Sequence, residues 1–286
     1  MSATSIVLDT ASRESTFVAM RLIRSILTSL VFGLPGIGLA HEFWLEPDEY
    51  QSKAGSEMAV RAYNGQDFKG TELSWFDRRI DRVSVILNRE GRKYNGLPGD
   101  LPAISVTLNE GLTVISYAST MSKLTYESWE KTLNFASSKG VEDFERAHAA
   151  RGLPRDGVTE GYWRFAKTLL AGGSGAGTDG ETGLPTEFVM LTNPYTTRGD
   201  SLHVRLLYKG APRPGAQVEL WEKAGRSVTR RLYRTDDEGH ATLDVRPGHS
   251  YQIDAVVLRE PESQAAIEAG VMWESLWANM TFAVPE

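Results

Sequence analysis

The sequence has no cysteine. Disulfide frameworks, thiolate zinc sites, iron–sulfur clusters and cysteine nucleophiles are therefore excluded. Any transition-metal site has to use imidazole, carboxylate, amine or thioether. A basic excess is also missing. Lys and Arg number 31 against 37 Asp and Glu, a net charge of −6, so no nucleic-acid partner is expected. There is no long low-complexity tract, no solenoid or propeller repeat, and no apolar run long enough to span a bilayer as a helix. What is present is an ordinary globular mixture, 41% hydrophobic and 24% charged, which rules out wholesale disorder.

Residues 20–40 read as a secretory signal peptide. Arg21 and Arg24 form a short positive region, Ile26 to Leu34 is apolar, Pro35 and Gly36 break the run, and Gly38 and Ala40 are the small residues before a cleavage point. Residues 1–19 do not resemble the start of such a segment, so Met20 is the expected first residue. Cleavage after Ala40 gives an exported, periplasmic chain beginning at His41. The absence of thiols suits an oxidising compartment.

From His41 to Tyr126 the chain reads mostly as strands. Met58–Tyr63 alternates, and Val83–Leu87, Ile104–Leu108 and Leu112–Tyr117 are strand-like runs. Asn64-Gly65, Glu90-Gly91, Asn95-Gly96 and Asn109–Gly111 supply turn chemistry. Residues 126–170 change character. Trp129, Leu133, Phe135 and Ala136, then Val141, Phe144, Ala147 and His148, recur at helical spacing. After Gly152-Leu-Pro154, Tyr162, Trp163, Ala166, Leu169 and Leu170 do so again. A Gly-rich linker follows at 171–183.

Beyond it, Leu202–Tyr208, Ala216–Trp221, Ala241–Val245, Tyr251–Leu258 and Trp277–Val284 read as strands, with a hairpin turn at Asp236–Gly239. The expected fold is mainly β: two antiparallel β-sandwich domains, immunoglobulin-like or transthyretin-like, with a helical insertion around 126–170. The expected division is 1–40 for the upstream residues and signal peptide, 41–184 for the N-terminal β domain, and 185–286 for the C-terminal sandwich.

Few motifs carry chemistry. Gly175–Gly180 matches G-x-G-x-x-G, but a dinucleotide loop needs a strand before it and a helix after it, and here a helix is expected before and polar coil after. There is no G-x-S-x-G elbow and no H-E-x-x-H, so no catalytic constellation supports an enzyme. Thr235–Gly239 lacks the spacing and terminal Glu of a calcium loop and reads as a plain turn. Asn279-Met-Thr281 is a glycosylation triplet within a strand expected to be buried. Of the Trp and Phe residues, most are expected in the core, and Trp273 and Trp277, four apart, suggest a short helical turn before the last strand.

His41 stands out. After cleavage its α-amine and imidazole lie on one residue, so the amine and Nδ1 can close a chelate ring on one ion. An α-amine with a pKa near ~8 loses its proton readily to Cu(II) or Ni(II). Candidates for a further ligand are Glu187, His203, His240 and His249, although each of these histidines, on the polar phase of an expected strand or in a turn, taken singly reads more readily as a surface residue. His148 is expected to be packed.

Seven blocks carry a family resemblance. They are His41–Pro47, Asn64–Gly70, Gly161–Leu170, Pro185–Tyr195, Tyr208–Val218, Thr235–Gly239 and Trp273–Phe282. Together they resemble the domain-of-unknown-function family 4198, with Met190 where that family usually has Pro. Single blocks also occur in carboxypeptidase-regulatory-like sandwiches. The resemblance implies an exported protein associated with cobalt or nickel uptake, commonly with His at the mature N-terminus, and it implies no enzymatic activity. Some members carry a His at the end of the strand matching Tyr251–Leu258, where this chain has Val256-Val-Leu258. The expectation is a non-enzymatic periplasmic protein that binds a divalent transition metal (nickel, cobalt or copper) and exchanges it with a membrane transporter or outer-membrane receptor. The alternative is an interaction module that binds a protein or glycan without metal.

Overall fold

The computed structural model describes residues 1–2 and 42–286. The first half contains β1 (Glu42–Pro47), β2 (Gln51–Ser52), β3 (Glu57–Gln66), β4 (Lys69–Leu73), β5 (Ile80–Leu87), β6 (Glu90–Lys93), β7 (Ile104–Thr107), β8 (Gly111–Ser119) and β9 (Ser122–Thr125). Helices α1 (Trp129–Ser138) and α2 (Phe144–Ala150) follow, then β10 (Thr159–Gly172) and β11 (Thr186–Met190). The chain continues through β12 (Ser201–Tyr208), β13 (Ala211–Pro212), β14 (Gln217–Ala224), β15 (Ser227–Arg234), β16 (His240–Asp244) and β17 (Ser250–Arg259). It closes with α3 (Gln264–Glu268) and β18 (Trp273–Ala283). The fold is mainly β, as expected.

One ten-stranded sheet organises these elements, in the order β15-β14-β17-β18-β10-β8-β5-β6, with β2 and β9 also paired to β10. It is mixed: β10 runs parallel to β18, from Glu160 opposite Trp273 to Thr168 opposite Thr281, while its other long neighbours are antiparallel. The strands on either side of the expected 184/185 boundary therefore join the same sheet. Two four-stranded sheets lie against it, one of β1, β3, β4 and β7, the other of β11, β12, β13 and β16.

Side-chain parity shows that these two sheets cover opposite faces. On β8, Leu112 and Val114 pack with Phe188, Val204 and Leu243, whereas Ile115 and Tyr117 pack with Phe43, Leu45 and Val60. On β10, Leu169 and Ala171 face the first group, and Ala166 and Leu170 the second.

This explains the main departure from the sequence expectation. The face of Tyr162, Trp163, Ala166, Leu169 and Leu170, expected to be helical, lies in β10, which is buried along nearly its whole length. A strand covered on both faces has no polar phase, so period-two alternation vanishes and a run of apolar residues fits helical spacing by accident. The two helices expected upstream do form. Ser128 caps α1 by accepting from the Lys131 N–H, and Tyr126, Phe135 and Phe144 pack with Trp273 and Trp277. Trp273 and Trp277 lie on β18 rather than in a helical turn, and α3 ends before them. A strand, not a helix, precedes Gly175–Gly180, and another strand follows, so no helix N-terminus is there to receive a phosphate.

Asn64 and Gly65, expected in a turn, lie inside β3. The turn itself is Asp67 and Phe68, both with positive φ (54° and 56°). Gly65 pairs with Gly70 across β3 and β4. A Cβ on Gly65 would fall 2.0 Å from the Lys69 carbonyl oxygen, and one on Gly70 would fall 2.7 Å from Trp44 Cη2. The glycine pair is what lets the Trp44 ring lie against the hairpin.

Candidate functional site

On the face of the ten-stranded sheet that β1 covers, the C-terminal strands present polar side chains where a core would be expected. Glu219 and Trp221 come from β14, Gln252 and Asp254 from β17, and Trp277, Asn279 and Thr281 from β18. All are buried. Register places them together: Glu219 is opposite Asp254, Asp254 opposite Asn279, and Trp221 opposite Gln252. Strand β1 lies across this face, fixed by the Thr281 hydroxyl donating to the Leu45 carbonyl. Helix α1 closes the end, with Phe135 stacked on Trp277 at 5.7 Å.

Lys139, the C-cap residue of α1, reaches into the centre. Its Nζ is 3.1 Å from Glu219 Oε2, 3.4 Å from Glu42 Oε1 and 3.9 Å from Asp254 Oδ1, and 4.7 Å from the Trp277 ring centre. Arg230 adds a second cation, 3.1 Å from Glu219 Oε2. Burial pushes the Asp254 carboxyl up to about 7, although Lys139 pulls the other way. Burial raises the Glu42 carboxyl for the same reason. Burial also works against the Lys139 ammonium, but Asp254, Glu219 and Glu42 outweigh it and hold its pKa above the ordinary lysine value. Three buried carboxylates thus share one ammonium, and the oxygens Glu42 Oε2 and Asp254 Oδ1 have no hydrogen-bond partner.

The chamber opens outward through a cavity of about 230 Å³. Its lining includes Glu42, Asp67, Lys139, Glu219, Trp221 and Arg230. Asp67 accepts a hydrogen bond from Trp221 Nε1 at 3.3 Å, which ties the β3–β4 turn to the cavity mouth.

Among the described residues, Glu187, His203, His240 and His249 do not form one ligand group. His41 lies outside the described residues. Glu187 on β11 is buried and already engaged: it accepts from the N–H groups of Thr182, Gly183 and Leu184 and from the Thr182 hydroxyl, and it lies 3.6 Å from Lys167 Nζ. His203 is exposed on β12, with Nδ1 3.1 Å from Thr242 Oγ1. His249 pairs with Glu222 at 2.6 Å. His240 stands with Asp236 and Glu238 at the β15–β16 turn, the one group of three such ligands within 4.8 Å among the described residues. There Asp236 Oδ1 already takes the N–H groups of Glu238 and His240. His148 is packed, as expected, accepting from Trp273 Nε1 and facing the Pro154 carbonyl.

The model of the domain of unknown function DUF4198 matches residues 39–259 of this sequence. The chain belongs to the DUF4198 family. No curated protein matches it. Among solved structures, a tetra-tandem repeat from the extending region of a large adhesion protein aligns at 9% identity and a TM-score of 0.21. The alignment covers 85% of this chain and 49% of that one, a likeness too slight to carry an argument.

Several of the blocks that carry the DUF4198 resemblance converge on the chamber. His41–Pro47 supplies Glu42, Asn64–Gly70 forms the hairpin that bears Asp67, Gly161–Leu170 is the heart of β10, and Trp273–Phe282 supplies Trp277 and Asn279. Lys139, Glu219 and Asp254 were not anticipated as site residues. The available signal was a charged residue inside an apolar strand, as in Tyr251-Gln-Ile-Asp-Ala-Val-Val-Leu258. Charge in such a run is expensive unless partnered, and that alone marks the position.

Proposed function

We propose that this chain is an exported, non-enzymatic protein that binds a divalent transition metal (nickel, cobalt or copper) and exchanges it with a membrane transporter or outer-membrane receptor. His41 at the mature N-terminus is the anchor in this reading, contributing its α-amine and Nδ1. The observation that carries it is the position of Glu42. The residue that follows His41 is planted at the edge of a carboxylate-lined cavity, with Glu42 Oε2 unpartnered. In this reading the chelate forms beside Glu42, its covalent neighbour, since consecutive Cα atoms are ~3.8 Å apart.

The further ligands then come from Glu42 and Asp67, in place of Glu187, His203, His240 and His249. Lys139 and Arg230 balance the carboxylates behind them, so the cavity can release its ion without leaving three bare buried charges. In the same reading the three sheets are two immunoglobulin-like or transthyretin-like sandwiches that share their central sheet.

The test is calorimetric titration of Cu(II), Ni(II), Co(II) and Zn(II) into protein beginning at His41, beside its Glu42→Gln and Asp67→Asn variants. Binding weakened about tenfold or more in the variants is expected for a ligand or its immediate support. No binding of any of the four ions by the unmodified chain would overturn the proposal.

A second reading, binding of a glycan or protein partner, draws on a different feature. A cleft of about 630 Å³ between β8, β10 and β12 presents Trp163, Phe165 and Tyr208 beside Arg82 and Arg259. Flat aromatic faces next to fixed polar groups suit a sugar ring.

A further inference from the structure

A second buried charge cluster plays no part in the metal reading. Lys167 on β10, Asp179 in the Gly-rich segment and Glu187 on β11 have side chains only 1–2% exposed. Lys167 Nζ is 2.8 Å from Asp179 Oδ1 and 2.9 Å from Asp179 Oδ2. Asp179 Oδ2 also accepts the Met190 N–H at 2.8 Å, whereas Oδ1 has no partner besides the Lys167 ammonium. Glu187 Oε2 is 3.6 Å from the same Nζ, and its carboxylate is held in place by the backbone N–H groups of residues 182–184.

We propose that Lys167 and Asp179 condense to an intramolecular amide that covalently ties β10 to the segment leading into β11. Three features of the cluster favour the step. The amine nitrogen rests against both carboxyl oxygens, the close approach that makes an intramolecular reaction effective. The Met190 N–H is aimed at the oxygen on which negative charge develops when the carbonyl carbon is attacked. The three side chains are only 1–2% exposed, which limits the access of water for the reverse hydrolysis.

The balance is complete without any added reagent. Lys167 Nζ forms a bond to Asp179 Cγ, and the Cγ–Oδ1 bond breaks. Of the three protons on the ammonium, one stays on the amide nitrogen and two leave with Oδ1 as water. Glu187 is the group placed to take a proton from Nζ and deliver it to the departing oxygen. The amide N–H that remains can donate to the carbonyl of Phe188 or Gly180, both of which Nζ already reaches, at 2.9 and 3.0 Å.

The experiment is intact-mass spectrometry of the purified full chain, followed by tryptic mapping. The expected mass is lower than that of the linear sequence by one water. The expected peptide is Phe165–Arg198, lighter by one water and uncut after Lys167, because trypsin does not cleave at an acylated lysine. Lys167→Arg and Glu187→Gln, checked for folding by circular dichroism, are expected at the full linear mass. An unmodified mass with free cleavage after Lys167 would overturn the proposal, and this result needs no variant. A loss of water with cleavage after Lys167 intact would equally overturn it, since Asp179-Gly180 can dehydrate to a succinimide without involving the lysine.

Discussion

Replacing Asp254 with asparagine should stabilise the protein at alkaline pH relative to acidic pH, by an amount that the chamber geometry sets. The Asp254 carboxyl is fully enclosed, accepts one long hydrogen bond from Asn279 Nδ2 at 3.3 Å, and lies 3.9 Å from the Lys139 ammonium. Burial outweighs that partner and raises its pKa from 3.8 to about 7. Between these values the folded protein holds a proton that the unfolded chain has released, so stability falls as pH rises. The contribution is fully present below about pH 4 and lost above about pH 7. At 1.36 kcal/mol per pK unit, the share falling between pH 5 and pH 8 is about 2–3 kcal/mol. Asparagine cannot ionise and lacks this dependence.

Urea unfolding of the parent and Asp254→Asn proteins at pH 5 and pH 8, in the presence of EDTA, reads the effect directly. The difference in stability between the two proteins should move by about 2–3 kcal/mol in favour of asparagine on going to pH 8. A difference that stays constant within about 0.5 kcal/mol would refute the reasoning, because a packing or hydrogen-bond change carries no such proton linkage.

Other outcomes follow from the same interior. Lys139→Met should cost about 3–5 kcal/mol at neutral pH, seen in the thermal midpoint, since it removes the ammonium from the buried carboxylates of Glu42 and Asp254 and leaves Glu219 only Arg230; a near-neutral result would show that Glu42 and Asp254 are already protonated. Gly65→Ala should lower stability by about 1–3 kcal/mol because its Cβ meets the Lys69 carbonyl, and chemical denaturation with an unchanged m-value would register it. His148→Phe keeps the ring but leaves Trp273 Nε1 and the Pro154 carbonyl without their partner, with an expected loss of about 1–3 kcal/mol on the thermal midpoint.

The strands that are open on one face were legible from sequence. In β3 and β16 buried and less buried residues alternate, and both appear as alternating runs in the chain. β10 was not legible, because its alternation is erased by burial against two sheets at once. The helical pair around Phe135 and Phe144 was legible from its own periodicity. The parallel pairing of β10 with β18, which fuses the two halves, leaves no local mark: it joins residues more than a hundred positions apart. The chamber was hidden for the same reason. Glu42, Lys139, Glu219 and Asp254 come from four distant segments, and only the fold reveals that they meet. Glu187 was expected as a candidate further metal ligand; in the structure its carboxylate is engaged by Lys167 and backbone N–H groups.

Metal binding at an N-terminal chelate of His41 is open to one direct check. The direct measurement compares the metal affinity of protein beginning at His41 with that of the same protein carrying one extra glycine before it, which converts the α-amine into an amide. Tight binding of Cu(II) or Ni(II) is expected in the first and its loss in the second, with the folded structure unchanged. Equal affinity in the two proteins would contradict it.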